Sequence, residues 1–153
     1  VAQWAALAPA PEAFLEAALA PGVFFVLAET GAQKVIGFLA WHEGGHIQFL
    51  YVHPEASRRG VGQALYEYCE PKIRKSAPLI AEEVTPHGSD PQAKDHLLSS
   101  EHCSPCNQRR LFTEASEIAK PFFLKQGFRI VKRRDFKISN VPIHNYAMEK
   151  IVS

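Results

Sequence analysis

Two arginines and two glycines make up most of Ser57-Arg58-Arg59-Gly60-Val61-Gly62-Gln63, a run placed just before a stretch of helix formers. Glycine at 60 and 62 admits backbone conformations closed to other residues and clears side chains from an approach path. The first N–H groups of a helix have no partner within it. The helix dipole adds about half a positive charge at the same end. A helix mouth of this kind receives anions, phosphate above all. Arg58 and Arg59 would add charge-assisted donors. The chemistry expected of Arg58, Arg59, Gly60, Val61, Gly62 and Gln63 is therefore the seating of a diphosphate. A plain glycine loop ahead of a helix is the competing reading of G-x-G by itself.

A second group is Cys103 and Cys106, in C-x-x-C spacing, with His102 adjacent and His96 nearby. Two thiolates and an imidazole are zinc ligands, but one C-x-x-C without a second pair does not complete a site. No strand and helix frame the pair as a thiol redox centre requires. No metal is expected. Cys69 falls on a helix stripe and is expected in the core.

These residues need elements to hold them. "PEAFLEAALA" (11–20) reads as a helix begun by Pro11 and stopped by Pro21-Gly22. "VFFVLAE" (23–29), "KVIGFLAW" (34–41) and "HIQFLYVH" (46–53) read as three sequential antiparallel strands, the last two joined by Glu43-Gly44-Gly45. A helix begins near Val61 with Val61, Ala64, Leu65 and Tyr68 on one stripe. Pro71 is expected to break or kink it, since proline inside a helix costs about 3 kcal/mol. Residues 76–110 are polar, turn-rich and weakly periodic, and read as a mobile insertion. "LFTEA" (111–115) is a short strand, "SEIAKPFFLKQGF" a helix capped by Ser116 and ended by Gly127, and 128–138 and 144–152 are strands joined by "SNVP". Trp41 and the Phe pairs at 24–25 and 122–123 read as core. The fold class is α/β, a mixed single domain over residues 1–153 around one sheet of about six strands.

The 153 residues, 46% hydrophobic and 22% charged, suit one globular domain. A net charge of +1 gives no global field for nucleic acid or a membrane surface, so neither partner is expected. No apolar run reaches the ~20 residues that span a bilayer. The Ala-rich start lacks a basic leader and is interrupted by Pro9 and Pro11, so it does not read as a signal peptide. Three cysteines argue against a secreted disulfide scaffold. A cytoplasmic monomer or homodimer is expected.

"IGFLAWHEGGHIQFLYVHPEASRRGVGQALYEYCE" resembles the central segment of the GNAT superfamily of acyl-CoA-dependent N-acetyltransferases, and "TEASEIAKPFFLKQGFRIVKRR" resembles its later strand–helix–strand. The ending "NYAMEK" is similar to a bacterial and fungal subgroup. The resemblance covers residues 23–75 and 111–152. It implies a mostly antiparallel sheet that splays between strands 46–53 and 111–115, with the pantetheine arm of acetyl-CoA in the opening. A first strand and helix are implied too, and are expected either to be missing at the start of this chain or to be replaced by residues 1–20. The resemblance also implies a bulge near Tyr51-Val52 that frees N–H groups for the ligand, with the Val52 N–H as oxyanion donor. The family's Gln/Arg-x-x-Gly-x-Gly/Ala motif maps onto Ser57 to Gly62, departing at Ser57.

The same mapping assigns the proton chemistry. The family's strand carboxylate, six residues before Val52, is replaced by His46. Period-two alternation puts His46, Gln48, Leu50 and Val52 on one face. Histidine is suited to general base work at neutral pH; an exposed, inert histidine at a hairpin is the other reading. Glu114 either assists through water or pairs with a neighbouring Arg or Lys. Ser116 contacts the pantetheine or only caps a helix. The family's tyrosine acid falls on Phe123, so that acid is absent; a thiolate leaving near neutral pH is uphill by only ~2 kcal/mol. The implied function is acetyl transfer from acetyl-CoA to a primary amine of a small molecule or peptide, by direct attack in a ternary complex. An acyl-CoA-binding sensor with little catalysis is the alternative, and a zinc module on 76–110 a third.

Overall fold

The computed structural model describes residues 11–80, 107–138 and 140–153. Helix α1 is Pro11–Ala18. Strands β1 (Val23–Glu29), β2 (Val35–His42) and β3 (His46–Val52) follow. A single 3-10 turn, Pro54–Ala56, leads into helix α2, Val61–Ser76. Then come β4 (Arg109–Ala115), helix α3 (Lys120–Lys125), β5 (Arg129–Ile138) and β6 (Val141–Val152). The strands form one sheet in the order β1-β2-β3-β4-β6-β5. Every neighbouring pair is antiparallel except β3 with β4, which is parallel.

One sheet face carries the core. Leu39, Trp41 and Ile47 from the first half meet Leu111, Tyr146 and Met148 from the second, under Leu65, Tyr66, Cys69 and Ile73 of α2 and Phe123 of α3. Each fully buried side chain of this size contributes about 1.5–3 kcal/mol, so α2 is the clamp that ties both halves of the sheet. The opposite face is covered at β2 and β3 by Phe14 of α1, whose ring lies 5.9 Å from Phe38 and 5.1 Å from Phe49. The two faces of the sheet therefore differ: α2 and α3 close one, α1 closes part of the other.

Four expectations are corrected. Helix α2 runs unbroken through Pro71; packing of Leu65, Cys69 and Ile73 outweighs the one backbone bond that proline forfeits. Its buried stripe is Leu65, Tyr66, Cys69 and Ile73, while Ala64 and Tyr68 are exposed. The helix expected from Ser116 is shorter: residues 116–119 form a turn, and regular helix starts at Lys120. Of the aromatic pairs, Phe24 is exposed, its ring stacked on Trp41.

Of the insertion expected at 76–110, Ser76 belongs to α2 and Arg109-Arg110 to β4, while residues 81–106, with His96, His102, Cys103 and Cys106, lie outside the described residues. The chain on either side is zipped: Leu79 bridges Arg109, and the Ile80 N–H donates to the Gln108 carbonyl at 2.8 Å. Ile80 and Gln108 are thus neighbours in the backbone. Among the described residues no helix is long and apolar enough to cross a membrane, and no three His, Cys, Asp or Glu residues group to hold a metal.

Candidate active site

The sheet opens where two strands that should continue pairing stop. β3 and β4 share only the register pairs His46↔Phe112 and Ile47↔Thr113. The Phe112 N–H donates to the Gly45 carbonyl at 3.0 Å, and the Thr113 hydroxyl to the Ile47 carbonyl at 2.9 Å. Beyond that rung, Gln48–Val52 and Glu114–Ala115 have no register partner in each other. Which β3 amides face the gap follows from the β2 ladder. The His53 N–H donates to the Ile36 carbonyl at 2.8 Å, next to the pair Gly37↔Val52. Antiparallel pairs alternate between bonded and non-bonded positions. Tyr51 and His53 therefore spend their backbone groups on β2, and Leu50 and Val52 turn theirs toward the gap.

The bulge sits elsewhere than expected. Register is regular at Leu39↔Leu50, Phe38↔Tyr51 and Gly37↔Val52, and it slips at Gln48, where Ala40 faces Phe49 and Trp41 faces Ile47. Side-chain alternation breaks there. Ile47 and Leu50, an odd number apart, both join the core. His46 consequently does not share a face with Leu50 and Val52. It is set on the α1 side of the sheet, with the core-facing residues on the other. The Val52 amide reaches the gap through ordinary alternation, without a bulge of its own, and Leu50 joins it.

At the end of β3 the chain makes the glycine turn. Backbone hydrogen bonding stops at the Ser57 N–H, which reaches the Pro54 carbonyl at 3.1 Å, and resumes at the Ala64 N–H, which reaches Gly60 at 2.9 Å. Among the described residues, none of the N–H groups from Arg58 to Gln63 has a partner. Arg58 has φ of 59° and Gly60 of 83°, both left-handed. That conformation is unfavourable for arginine and marks stored strain of about 1–3 kcal/mol. Alternating left-handed residues turn consecutive N–H groups into one concave nest. Gly62, in the first turn of α2, has no packing need to be glycine: an added Cβ would meet Val52 at 3.5 Å and Phe122 at 3.8 Å, ordinary contacts. Arg58 and Arg59 are exposed beside the turn, and the Gln63 side chain donates to Glu67 at 2.8 Å.

At the fork of β3 and β4, the two expected acid–base residues meet. His46 Nε2 lies 2.7 Å from Glu114 Oε2. The His46 ring stacks on Phe112 at 4.7 Å and on His42 at 6.1 Å. Glu114 Oε1 lies 3.3 Å from the Arg134 guanidinium, whose Nε donates to Asn145 Oδ1 at 3.1 Å. The Arg110 guanidinium lies 4.8 Å from the Phe112 ring. With Nε2 donating to a carboxylate, His46 Nδ1 keeps a lone pair, the arrangement of a base oriented by an acid.

The remaining candidates are placed as follows. Tyr51 is exposed, its ring 5.7 Å from Phe38 on the α1 side. The Ser116 hydroxyl accepts from the Ala119 N–H at 3.2 Å and so caps the turn before α3. Phe123 is only 3% exposed, enclosed by Phe122 and Phe128. Sequence reasoning missed the Leu50 amide, Phe112 and Arg134. The Leu50 amide follows from Val52 by period-two alternation; Arg134 carries no local signal. It also missed Glu117, which accepts from the Tyr146 hydroxyl at 2.6 Å and bonds His144 at 3.1 Å and Lys120. The Lys120 ammonium first, then Tyr146 and His144, hold that carboxyl down to about 2.

The Acetyltransferase (GNAT) domain family matches residues 20–130. No curated protein matches the chain. Among solved structures, a GCN5-related N-acetyltransferase from Rhodopseudomonas palustris is 24% identical with a TM-score of 0.61, over 89% of this chain and 66% of that one. The ribosomal-protein-S18-alanine N-acetyltransferase of Escherichia coli is 15% identical with a TM-score of 0.62, over 95% and 79%. Ard1 from Thermoplasma volcanium is 20% identical with a TM-score of 0.59, over 100% and 87%. At these identities the likeness is one of fold.

Proposed function

The chain belongs to the GNAT family of acetyltransferase domains, and on that premise we propose that it transfers an acetyl group from acetyl-CoA to the primary amine of a small molecule or peptide, in one ternary complex. The observation that carries this reading is the opened ladder: Leu50 and Val52 turn backbone groups into a gap that leads to the unpaired amides of residues 58–63. A pantetheine arm has amides of its own and would pair with β3 as a strand does. Its diphosphate would rest on the nest, with Arg58 and Arg59 alongside.

In the reaction, the neutral amine nitrogen attacks the thioester carbonyl carbon. His46 Nδ1 takes the ammonium proton that must leave before attack, and Glu114 stabilises the imidazolium formed. The oxyanion is held by the Val52 N–H. The C–S bond breaks, the nitrogen of the tetrahedral intermediate gives up its second proton to water as the amide forms, and the thiolate takes its proton from water. His46 returns its proton to solvent. Phe123, apolar and enclosed, offers no hydroxyl for the leaving sulfur.

That same feature favours the second reading, a domain that binds acyl-CoA and turns it over poorly. Incubation with acetyl-CoA and a panel of amines, followed by mass spectrometry of the acceptors, separates the two. Amine acetylation supports transfer. Saturable CoA binding without an acetylated product leaves the sensor, and absence of binding removes both.

A further inference from the structure

We propose that Arg134 is a positioning residue of the transferase: it holds the Glu114 carboxylate in place and aimed, so that His46 works as an oriented base. The inference rests on the assignment of His46 as that base. Arg134 lies on β5, opposite Asn145 on β6, and Glu114 lies on β4, opposite Ala147 on β6. Two neighbouring strand spacings, about 10 Å, separate β5 from β4. Arginine has the length to cross, and the small side chain of Ala147 leaves the way clear. At the far side, one guanidinium nitrogen lies 3.3 Å from Glu114 Oε1. Nε is fixed at 3.1 Å by the Asn145 amide oxygen. This leaves Oε2, the oxygen not taken by Arg134, for His46 at 2.7 Å.

The division of labour is chemical. A carboxylate beside a lone imidazolium can accept its proton and lose the ion pair. A fixed guanidinium on the other oxygen gives the carboxylate a second cationic partner that is not a proton donor to the reaction. The guanidinium is itself oriented, because its rigid fork is anchored on Asn145 through Nε and presents another nitrogen to Glu114, where lysine offers a point charge. Among the described residues, the titratable and charged groups around His46 are His42 on β2, Arg110 and Glu114 on β4, Glu149 on β6 and Arg134 on β5. Arg110 and Arg129 are already engaged with Glu149, at 3.9 Å and 2.6 Å. Arg134 is the cation placed on Glu114 itself.

The test combines kinetics with a measurement that needs no substrate. Arg134→Met, Arg134→Lys, Glu114→Gln and the double variant Arg134→Met/Glu114→Gln are compared. His46 is followed by NMR titration of its ring signals, assigned with His46→Gln. Arg134→Met is expected to displace the His46 titration midpoint and lower kcat about tenfold, with the acetyl-CoA KM within twofold. Arg134→Lys is expected to recover only part of the rate. In the Glu114→Gln background, Arg134→Met is expected to change kcat less than twofold, because its partner is already gone. An unmoved midpoint in Arg134→Met overturns the proposal, as does an equal loss of kcat in both backgrounds. A displaced midpoint in a protein that acetylates no amine upholds the coupling and removes the base assignment.

Discussion

His46 and Glu114 are separated by 68 residues in the chain and by 2.7 Å in the fold. The pair does what neither residue does alone. The carboxylate takes Nε2–H, so one tautomer is selected and the second nitrogen is available to a substrate amine. Replacing His46 with Gln removes the base but keeps a polar side chain at the fork. The expected loss in kcat is about 10²- to 10⁴-fold, the range of general base catalysis. KM for acetyl-CoA is expected to stay within a factor of about two, since the donor's amide and diphosphate contacts lie at residues 50–63. Glu114→Gln leaves the imidazole in place and is expected to cost about tenfold. Steady-state kinetics with one acceptor checks all three values. A His46→Gln enzyme of undiminished kcat assigns the proton transfer to another group.

At the scale of elements, the glycine turn and the forked strands have separate tasks, and the two glycines can be told apart by experiment. Gly60 is at φ of 83°, so Gly60→Ala is strained whatever the space around it. It is expected to destabilise the fold by about 1 kcal/mol. Gly62 lies inside α2, where alanine is favoured over glycine by up to about 1 kcal/mol, and a Cβ there meets only ordinary contacts. Gly62→Ala is expected to leave the melting temperature unchanged or higher while weakening CoA binding several-fold. Calorimetry and a binding titration read the two effects. Unweakened CoA binding in Gly62→Ala denies that the missing side chain serves the ligand.

The same elements mark how far the sequence can be read. β1 and β2 were legible to within a residue or two because apolar and β-branched runs between turns have few other solutions. Gly60 and Gly62 were legible because a helix mouth needs only local chain. The slip at Gln48 was not, since a bulge is decided by which β2 residue faces which on β3. Neither was the passage of α2 through Pro71, where tertiary packing outweighs local propensity. The role of Arg134 is further out of reach. It depends on β6 lying between β4 and β5, an order that pattern reading along the chain does not supply.

At the scale of the whole molecule, the sheet is two halves held at their shared strand edge by two register pairs. The clamp is α2, which packs Leu65, Tyr66, Cys69 and Ile73 across Leu39 and Ile47 on one side and Leu111 and Met148 on the other. A ligand that pairs with β3 in the gap and rests on the N-terminal turn of α2 touches both parts of this clamp. Binding should then stabilise the whole domain. At a CoA concentration 100 times its Kd the gain is about 2.7 kcal/mol, which for a chain of this size raises the melting temperature by roughly 5–10 °C. Hydrogen exchange locates the effect. The amides of Leu50, Val52 and residues 58–63 lack partners among the described residues and should exchange fast in the free protein. Addition of CoA should slow that set most, with α2 following. Protection confined to other segments would place the diphosphate away from this turn. The parted strands would then be a feature of the fold without a part in binding.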